Sequence, residues 1–290
     1  MPVLSDTIVD YPAGALTSSG TVVATVPVDG GLGVVLDRTA FHAVDAGWPD
    51  QPADRGALEI GGVAHPVLAA VVGATDGGGI LLGADIPVRT GAEGWSFLVV
   101  HVLAPGTAVD VGDEVRVTVD EGHRSALSAG HTGCHLASLA LDRALADAWT
   151  KEVPADALGH PGFDALACQS SRIAEHGSID LYRVGKSLRR RGFDPAALDD
   201  LDAVAARANA ALATWVATGA RIRIDRDGDG LGDRRRWVCE LPGGDAVIPC
   251  GGTHLTSLAR AAAVTVALER TDVEGGIELV MTTTVVPAAD

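Results

Sequence analysis

Lysine is almost missing from this chain. Of 290 residues only Lys151 and Lys186 carry an ammonium group, and arginine brings the basic total to 22 against 38 acids, a formal net charge of −16. A surface that grips nucleic acid is ordinarily basic, because phosphate contacts need Lys or Arg, so the overall balance argues against an RNA partner. The deficit is uneven. Residues 1–120 hold 15 acidic and 4 basic side chains, whereas arginines gather further on, in YRVGKSLRRRGF and ARIRIDRDGDGLGDRRRW. Aromatics are also scarce, 4% of the chain against 47% apolar. That leaves a core built mainly from Val, Leu, Ile and Ala.

Long apolar runs are missing as well. GGGILLGADIPV is broken by Gly, Asp and Pro, far short of the ~20 residues a membrane helix needs. The opening MPVLSDTIVDYPAG has neither the basic nor the apolar region of a secretory signal. Four cysteines in so long a chain do not make a disulfide framework. The expectation is a soluble cytoplasmic protein with reduced thiols and no membrane partner.

What is present falls into two parts, with a boundary near residue 118. Residues 1–118 alternate short apolar runs (GTVVATVPV, LGVVLDRTAF, GALEIGGVAHPVLAAVV, GGILLGADIPV, SFLVVHVL, DVGDEVRVTVD) with Gly, Asp and Pro clusters. Such spacing suggests a β-barrel or sandwich. Residues 119–290 read as α+β, a mainly antiparallel sheet with helices packed on one side. Helices are expected from His131 to Trp149, over IDLYRVGKSLRRRGF, from Pro195 behind an Asp194 N-cap, and over THLTSLARAAA. Strands are expected at RIRID, RRWVCEL, DAVIPC and GIELVMTTTVV.

Two short motifs carry chemistry. In HTGCH, His131 and His135 are four residues apart, so a helix projects both imidazoles from one face. In IPCGGTH, Cys250 and His254 bracket Gly251, Gly252 and Thr253. Three imidazoles and one thiolate suit a single tetrahedral zinc, and not magnesium or calcium, which take oxygen. With Cys250 ending a strand and His254 opening a helix, the glycines would permit positive φ and a close approach of backbone to ligand. Amides at that helix N-terminus would face an anionic oxygen. Four protein ligands ordinarily mark a structural zinc, three plus water a catalytic one, and both readings stay open.

HTGCH followed by PCGGTH resembles the editing domain of alanyl-tRNA synthetases and their freestanding AlaX-type relatives, whose pattern runs HTAxH and then PCGGTH. The resemblance extends to VVLDRTAFHAVDAGWPDQPADRGAL, to VGDEVRVTVDEGHRSALSAGHTGCH and to Asn209, and so covers nearly the whole chain. It implies an N-terminal β-barrel, a C-terminal α+β editing domain, and one zinc on His131, His135, Cys250 and His254. It implies hydrolysis of the ester joining serine or glycine to alanine tRNA. A chain too short to hold the synthetase core as well would act in trans, with ATP not expected as a partner. Thr253 would place a hydroxyl beside the metal, or else cap the next helix. Gln169 resembles a pocket glutamine, or is a loop amide bonding its own backbone. Two departures stand out: Gly133 replaces the alanine of HTA, and Trp48, Pro49 and Asp50 separate Gly47 from Gln51 where the family runs Gly-Gly-Gln-Pro.

Lys186, Arg189, Arg190 and Arg191 would contact the tRNA acceptor stem, or form a solvated helix end. DRDGDGLGD, spanning Asp225 to Asp233, spaces acids like a calcium loop, but Arg236 stands where an EF-hand needs a bidentate Glu. An acidic hairpin turn neutralised by Arg234–Arg236 is favoured over calcium. Two alternatives to editing remain: a zinc hydrolase of a small aminoacyl ester or amide not attached to tRNA, and a non-catalytic module with structural zinc.

Overall fold

The structure, a computed structural model, describes residues 4–289. It is α+β, with mostly antiparallel sheets and few helices. The chain packs as two units. One comprises the chain as far as Arg124 with Ile224–Arg236 and Pro249–Thr253; the other takes Ser125–Arg223, Trp237–Ile248 and the chain from His254 onward.

In the first unit eight strands form one sheet. Thr17–Val28 lies near its middle, flanked by Glu114–Val119 and Gly31–Leu36. The strand Glu114–Val119 shows why: Val115, Val117 and Val119 are buried while the residues between them are exposed, the period-two pattern of a half-buried strand. The expected barrel is corrected to a sheet with two ends, Val63–Pro66 and Leu81–Leu82. A single stretch of chain serves both sides of it. Val63–Pro66 pairs with Gly56–Ile60, and after two residues Ala69–Thr75 pairs with Ser96–Leu103. The run GGILLGADIPV yields only Leu81–Leu82 before a 3₁₀ turn at Gly83–Asp85. The core is mostly aliphatic, with Val22, Val34, Leu36, Leu58, Val72 and Val99 joined by Phe41 and Phe97.

The second unit centres on an antiparallel four-stranded sheet in the order Cys168–Ala174, Gly177–Val184, Gly276–Pro287, Ala261–Val273. The helix Glu121–Ala144 begins ten residues before the expected start and carries HTGCH in its middle. Its close approach to the sheet is set by two glycines. A Cβ on Gly130 would meet the carbonyl oxygens of Ala174 and Gly177, and one on Gly133 would meet Val285 Cγ2. The helix Leu201–Val216 is capped by Asp200, whose carboxylate accepts from Ala203 N at 2.9 Å. Asn209 in that helix fastens to Val266, donating to its carbonyl at 3.0 Å and accepting its N–H at 2.7 Å. A separate three-stranded sheet joins Ile222–Arg226, Arg235–Leu241 and Gly244–Pro249.

Three expected helices are corrected. IDLYRVG is the strand Gly177–Val184, and only Lys186–Arg190 is helical. THLTSLARAAA holds one 3₁₀ turn, Leu258–Arg260, before the strand Ala261–Val273. Asp194 caps a 3₁₀ turn over Pro195–Leu198, and the helix proper starts at Leu201. In the first two cases alternation of buried and exposed residues overrides the helix propensity of alanine and leucine. No helix among the described residues is long and apolar enough to cross a membrane. None of the four cysteines is in a disulfide among the described residues.

Candidate metal centre

His131 and His135 sit one turn apart on the long helix with ring centroids 4.9 Å apart. His254 completes a group of three imidazoles, 4.2 Å from His131 and 5.0 Å from His135. Trp237 walls this group, its ring 5.1 Å from His135 and 5.9 Å from His254. The indole is fully buried and keeps the surroundings of the imidazoles apolar. Cys250 lies four residues before His254 in the chain. The ligand atoms of His131, His135, Cys250 and His254 all fall within 4.8 Å of one another, a grouping able to hold a metal ion.

The donor chemistry fits a soft or borderline cation. Nε2 of His135 is buried and has no hydrogen-bond partner, a cost that bonding to a metal would remove. Burial pushes the His135 imidazole down to about 4, so it is neutral and its lone pair is available at pH 7. Burial likewise pushes the Cys250 thiol up to about 12, against a small opposing effect from the Gly252 amide, whose N–H points at Sγ from 3.5 Å. A divalent cation reverses that direction, because a coordinating thiol is deprotonated outright.

The neighbours of the ligands are equally specific. Thr132, between the two helical histidines, brings its hydroxyl to 3.4 Å from His254 Nδ1 and accepts Leu255 N–H at 3.0 Å. An imidazole fastened at Nδ1 keeps Nε2 for a metal, the usual division of labour in such sites. The segment Pro249–Thr253 is held within the first unit. Tyr11 donates its hydroxyl to the Gly251 carbonyl at 2.9 Å, and Cys250 N–H donates to the Arg235 carbonyl at 3.1 Å. Gln51 grips Thr253 twice, donating from Nε2 to Oγ1 at 2.9 Å and accepting Thr253 N–H on Oε1 at 3.0 Å. Gln51 and Thr253 are both buried, 2% and 3% exposed.

Several expectations for this loop are corrected. His254 opens no helix, so no helix N-terminal amides stand beside it and Thr253 caps none. The left-handed glycines lie elsewhere, as at Gly243 (φ 99°) and Gly275 (φ 78°), and neither Gly251 nor Gly252 is among them. A Cβ on Gly251 would meet nothing within 4 Å, so the space there is open. Sequence reasoning missed Thr132, Tyr11 and Trp237, and missed what Gln51 touches. A hydroxyl one residue after a candidate ligand was a signal for Thr132; nothing local pointed to Tyr11.

The remaining candidates lie as follows. Gln169 is exposed on the strand Cys168–Ala174, with its amide donating to the Ala167 and Cys168 carbonyls at 3.2 Å. Lys186, Arg189, Arg190 and Arg191 are exposed, and Arg189 also donates to the Gly275 carbonyl at 3.1 Å. In the acidic turn, Arg236 pairs with Asp227 at 2.6 Å and Arg226 with Asp229 at 3.3 Å. The Asp233 carboxylate accepts Gly230 N–H at 2.8 Å. Arg235 turns inward, donating to the Leu231 carbonyl at 3.1 Å. Cys134 faces the sheet, with Sγ 3.4 Å from both Ser171 Oγ and Asp180 Oδ1.

The similarities of the chain bear on this geometry. No protein-family model matches it. It is similar to the alanine–tRNA ligase of Frankia alni, 29% identical over 241 residues, covering 80% of this chain and 22% of that protein. It is 31% identical over 144 residues to the Corynebacterium jeikeium alanine–tRNA ligase, covering 50% of this chain and 13% of the ligase. The human mitochondrial alanine–tRNA ligase is 33% identical over 129 residues, covering 44% of this chain and 11% of the ligase. The chain thus spans less than a quarter of the length of these relatives.

Proposed function

We propose that the chain is a zinc-dependent editing hydrolase that cleaves the ester joining serine or glycine to alanine tRNA, acting in trans. The observation that carries this reading is the gathering of His131, His135, Cys250 and His254 into one group. The likeness to a stretch of alanine–tRNA ligases supports it.

Bound zinc supplies Lewis acidity toward an ester carbonyl and lowers the pKa of water. The protein's own groups do the rest. His131, His135 and His254 enter as neutral donors, and Cys250 as a thiolate offsets one positive charge. Thr132, with its hydroxyl 3.4 Å from His254 Nδ1, would leave Nε2 for the metal. Gln51 and Tyr11 hold the Cys250–His254 loop in place before substrate arrives, so its ordering costs nothing at the reaction step. The open space over Gly251 admits a small aminoacyl group. A site that hydrogen-bonds the serine hydroxyl rejects alanine strongly, which a merely apolar pocket cannot do. Lys186 and Arg189–Arg191 form an exposed basic end suited to the acceptor stem.

The test is hydrolysis of Ser-, Gly- and Ala-tRNA charged by a separate enzyme. Faster release of serine or glycine than of alanine is expected, with loss of activity on chelation. Equal hydrolysis of all three, or of none, rejects the editing reading. The net charge of −16 favours a second reading, a hydrolase of small aminoacyl esters free of RNA. Activity on seryl methyl ester matching that on Ser-tRNA would favour it; salt-dependent tRNA binding would count against it.

A further inference from the structure

Trp48 is 69% exposed in a chain with few aromatics. It belongs to the insertion that separates Gly47 from Gln51. An exposed tryptophan gains little from burial, and fixing its ring costs rotamer freedom, yet this one is held. Its indole Nε1–H donates to Asp50 Oδ2 at 2.8 Å, and the other oxygen of Asp50 accepts Gln51 N–H at 2.8 Å. Its backbone N–H donates to the Asp45 carbonyl at 3.1 Å. The Asp45 carboxylate in turn accepts Gly47 N–H at 2.8 Å and the Thr90 hydroxyl at 3.1 Å. The ring is therefore clamped by its edge through Nε1, with much of its surface left to solvent. The clamp continues through Asp50 to Gln51, whose side chain grips Thr253 in the metal-ligand loop. One hydrogen-bonded chain runs from the exposed ring to the residue next to His254.

We propose that Trp48 is the stacking platform for the unpaired terminal nucleobase of the RNA whose 3′ ester the site cleaves. The inference rests on the editing reading. Stacking on an aromatic face needs no phosphate contact and tolerates any base, because every base has a π-face. It suits an acidic surface, where recognition through phosphate is weak. It also gives the insertion a purpose: a rigid ring coupled to the loop that holds Cys250 and His254.

The experiment compares wild type, Trp48→Ala and Trp48→Phe on two uncharged RNA microhelices. One ends in a single-stranded 3′ adenosine and the other in an abasic residue. Metal content and circular dichroism confirm that each variant folds. Trp48→Ala is expected to weaken binding of the adenosine-ended RNA about tenfold, to leave the abasic RNA unchanged, and to keep the slope of log affinity against log salt. Trp48→Phe retains most of the affinity. On a Ser-tRNA substrate, KM rises in Trp48→Ala while kcat holds. Equal affinity of Trp48→Ala and wild type for the adenosine-ended RNA overturns the proposal, as does an equal loss on both RNAs. The two readings fail separately. A wild type that deacylates with no Trp48 effect removes only the platform. A wild type that binds with the expected Trp48 effect but hydrolyses no ester removes only the editing activity.

Discussion

Replacing Gln51 with alanine removes both hydrogen bonds that fasten Thr253, at 2.9 and 3.0 Å. The two residues are buried, so water does not simply replace the lost partners. At ~0.5–1.5 kcal/mol net for each bond, the pair contributes about 1–3 kcal/mol. For a chain of this size ~2 kcal/mol lowers Tm by about 4–8 °C. The sharper consequence is on the metal. Thr253 adjoins His254 and lies three residues from Cys250, so loosening it misplaces two ligands at once. Partners that orient ligands ordinarily change metal affinity by about 10–100-fold. Zinc affinity measured by competition with a chromophoric chelator should fall by that factor in Gln51→Ala. Gln51→Glu keeps an acceptor for Thr253 N–H but loses the amide donor to Oγ1, and should fall between the two. Zinc affinity unchanged within twofold, alongside the expected drop in Tm, would refute the claim that Gln51 acts on the metal through Thr253.

Other outcomes follow from single features of the structure. Gly133→Ala places a Cβ against Val285 Cγ2 and should destabilise by ~1–3 kcal/mol; Val285→Ala in the same chain should restore most of the loss, read by urea denaturation of all four members of the cycle. Burial pushes the Asp142 carboxyl up to about 8, opposed by the Asp164 amide that donates to it at 2.7 Å. The native state then binds a proton that the unfolded chain releases above 3.8, so this group stabilises fully below that pH, and its contribution is lost as pH rises to about 8. Asp142→Asn should remove that dependence, at most about 1.4 kcal/mol per pH unit across the window, and a wild-type pH slope retained in Asp142→Asn would contradict it. Removing metal with a strong chelator should lower Tm, with recovery on zinc and none on magnesium or calcium, followed by calorimetry.

How much of this was legible depended on how locally each feature was written. Each half of the metal group is an i, i+4 pair on a short motif, so residue type and spacing were enough to nominate it. That the long helix packs closely on the sheet at Gly130 and Gly133 is something no local pattern announces. The strand Ala261–Val273 was misread because Ala261, Ala262 and Ala263 favour helix, while the run Val264, Val266 and Leu268 pairs with Gly276–Pro287. The strand Gly177–Val184 is hidden for a different reason: its buried Asp180 looks polar in sequence, but Ser171 and Ser178 hydroxyls satisfy it. The glycines of IPCGGTH were assigned a left-handed turn that the structure makes without one. Open space at Gly251 and a hydrogen bond to Cys250 from Gly252 N–H are properties of three dimensions.

The two departures from the resembled motif are answered inside this chain. Where the pattern has alanine, Gly133 faces Val285, whose methyl takes the volume that a Cβ would fill, so the helix carrying His131 and His135 keeps its approach to the sheet. Where the pattern runs straight from glycine to glutamine, three inserted residues leave Gln51 still reaching Thr253, because Asp50 turns the backbone and holds it. The same carboxylate fixes the indole of Trp48. A loop lengthened at random would show loose ends; this one converts its extra residues into hydrogen bonds. Residues 1–120 carry only 4 basic side chains, so if the proposed RNA end docks there, the exposed face of Trp48, clamped through Asp50, would contribute by stacking, which needs no phosphate contact.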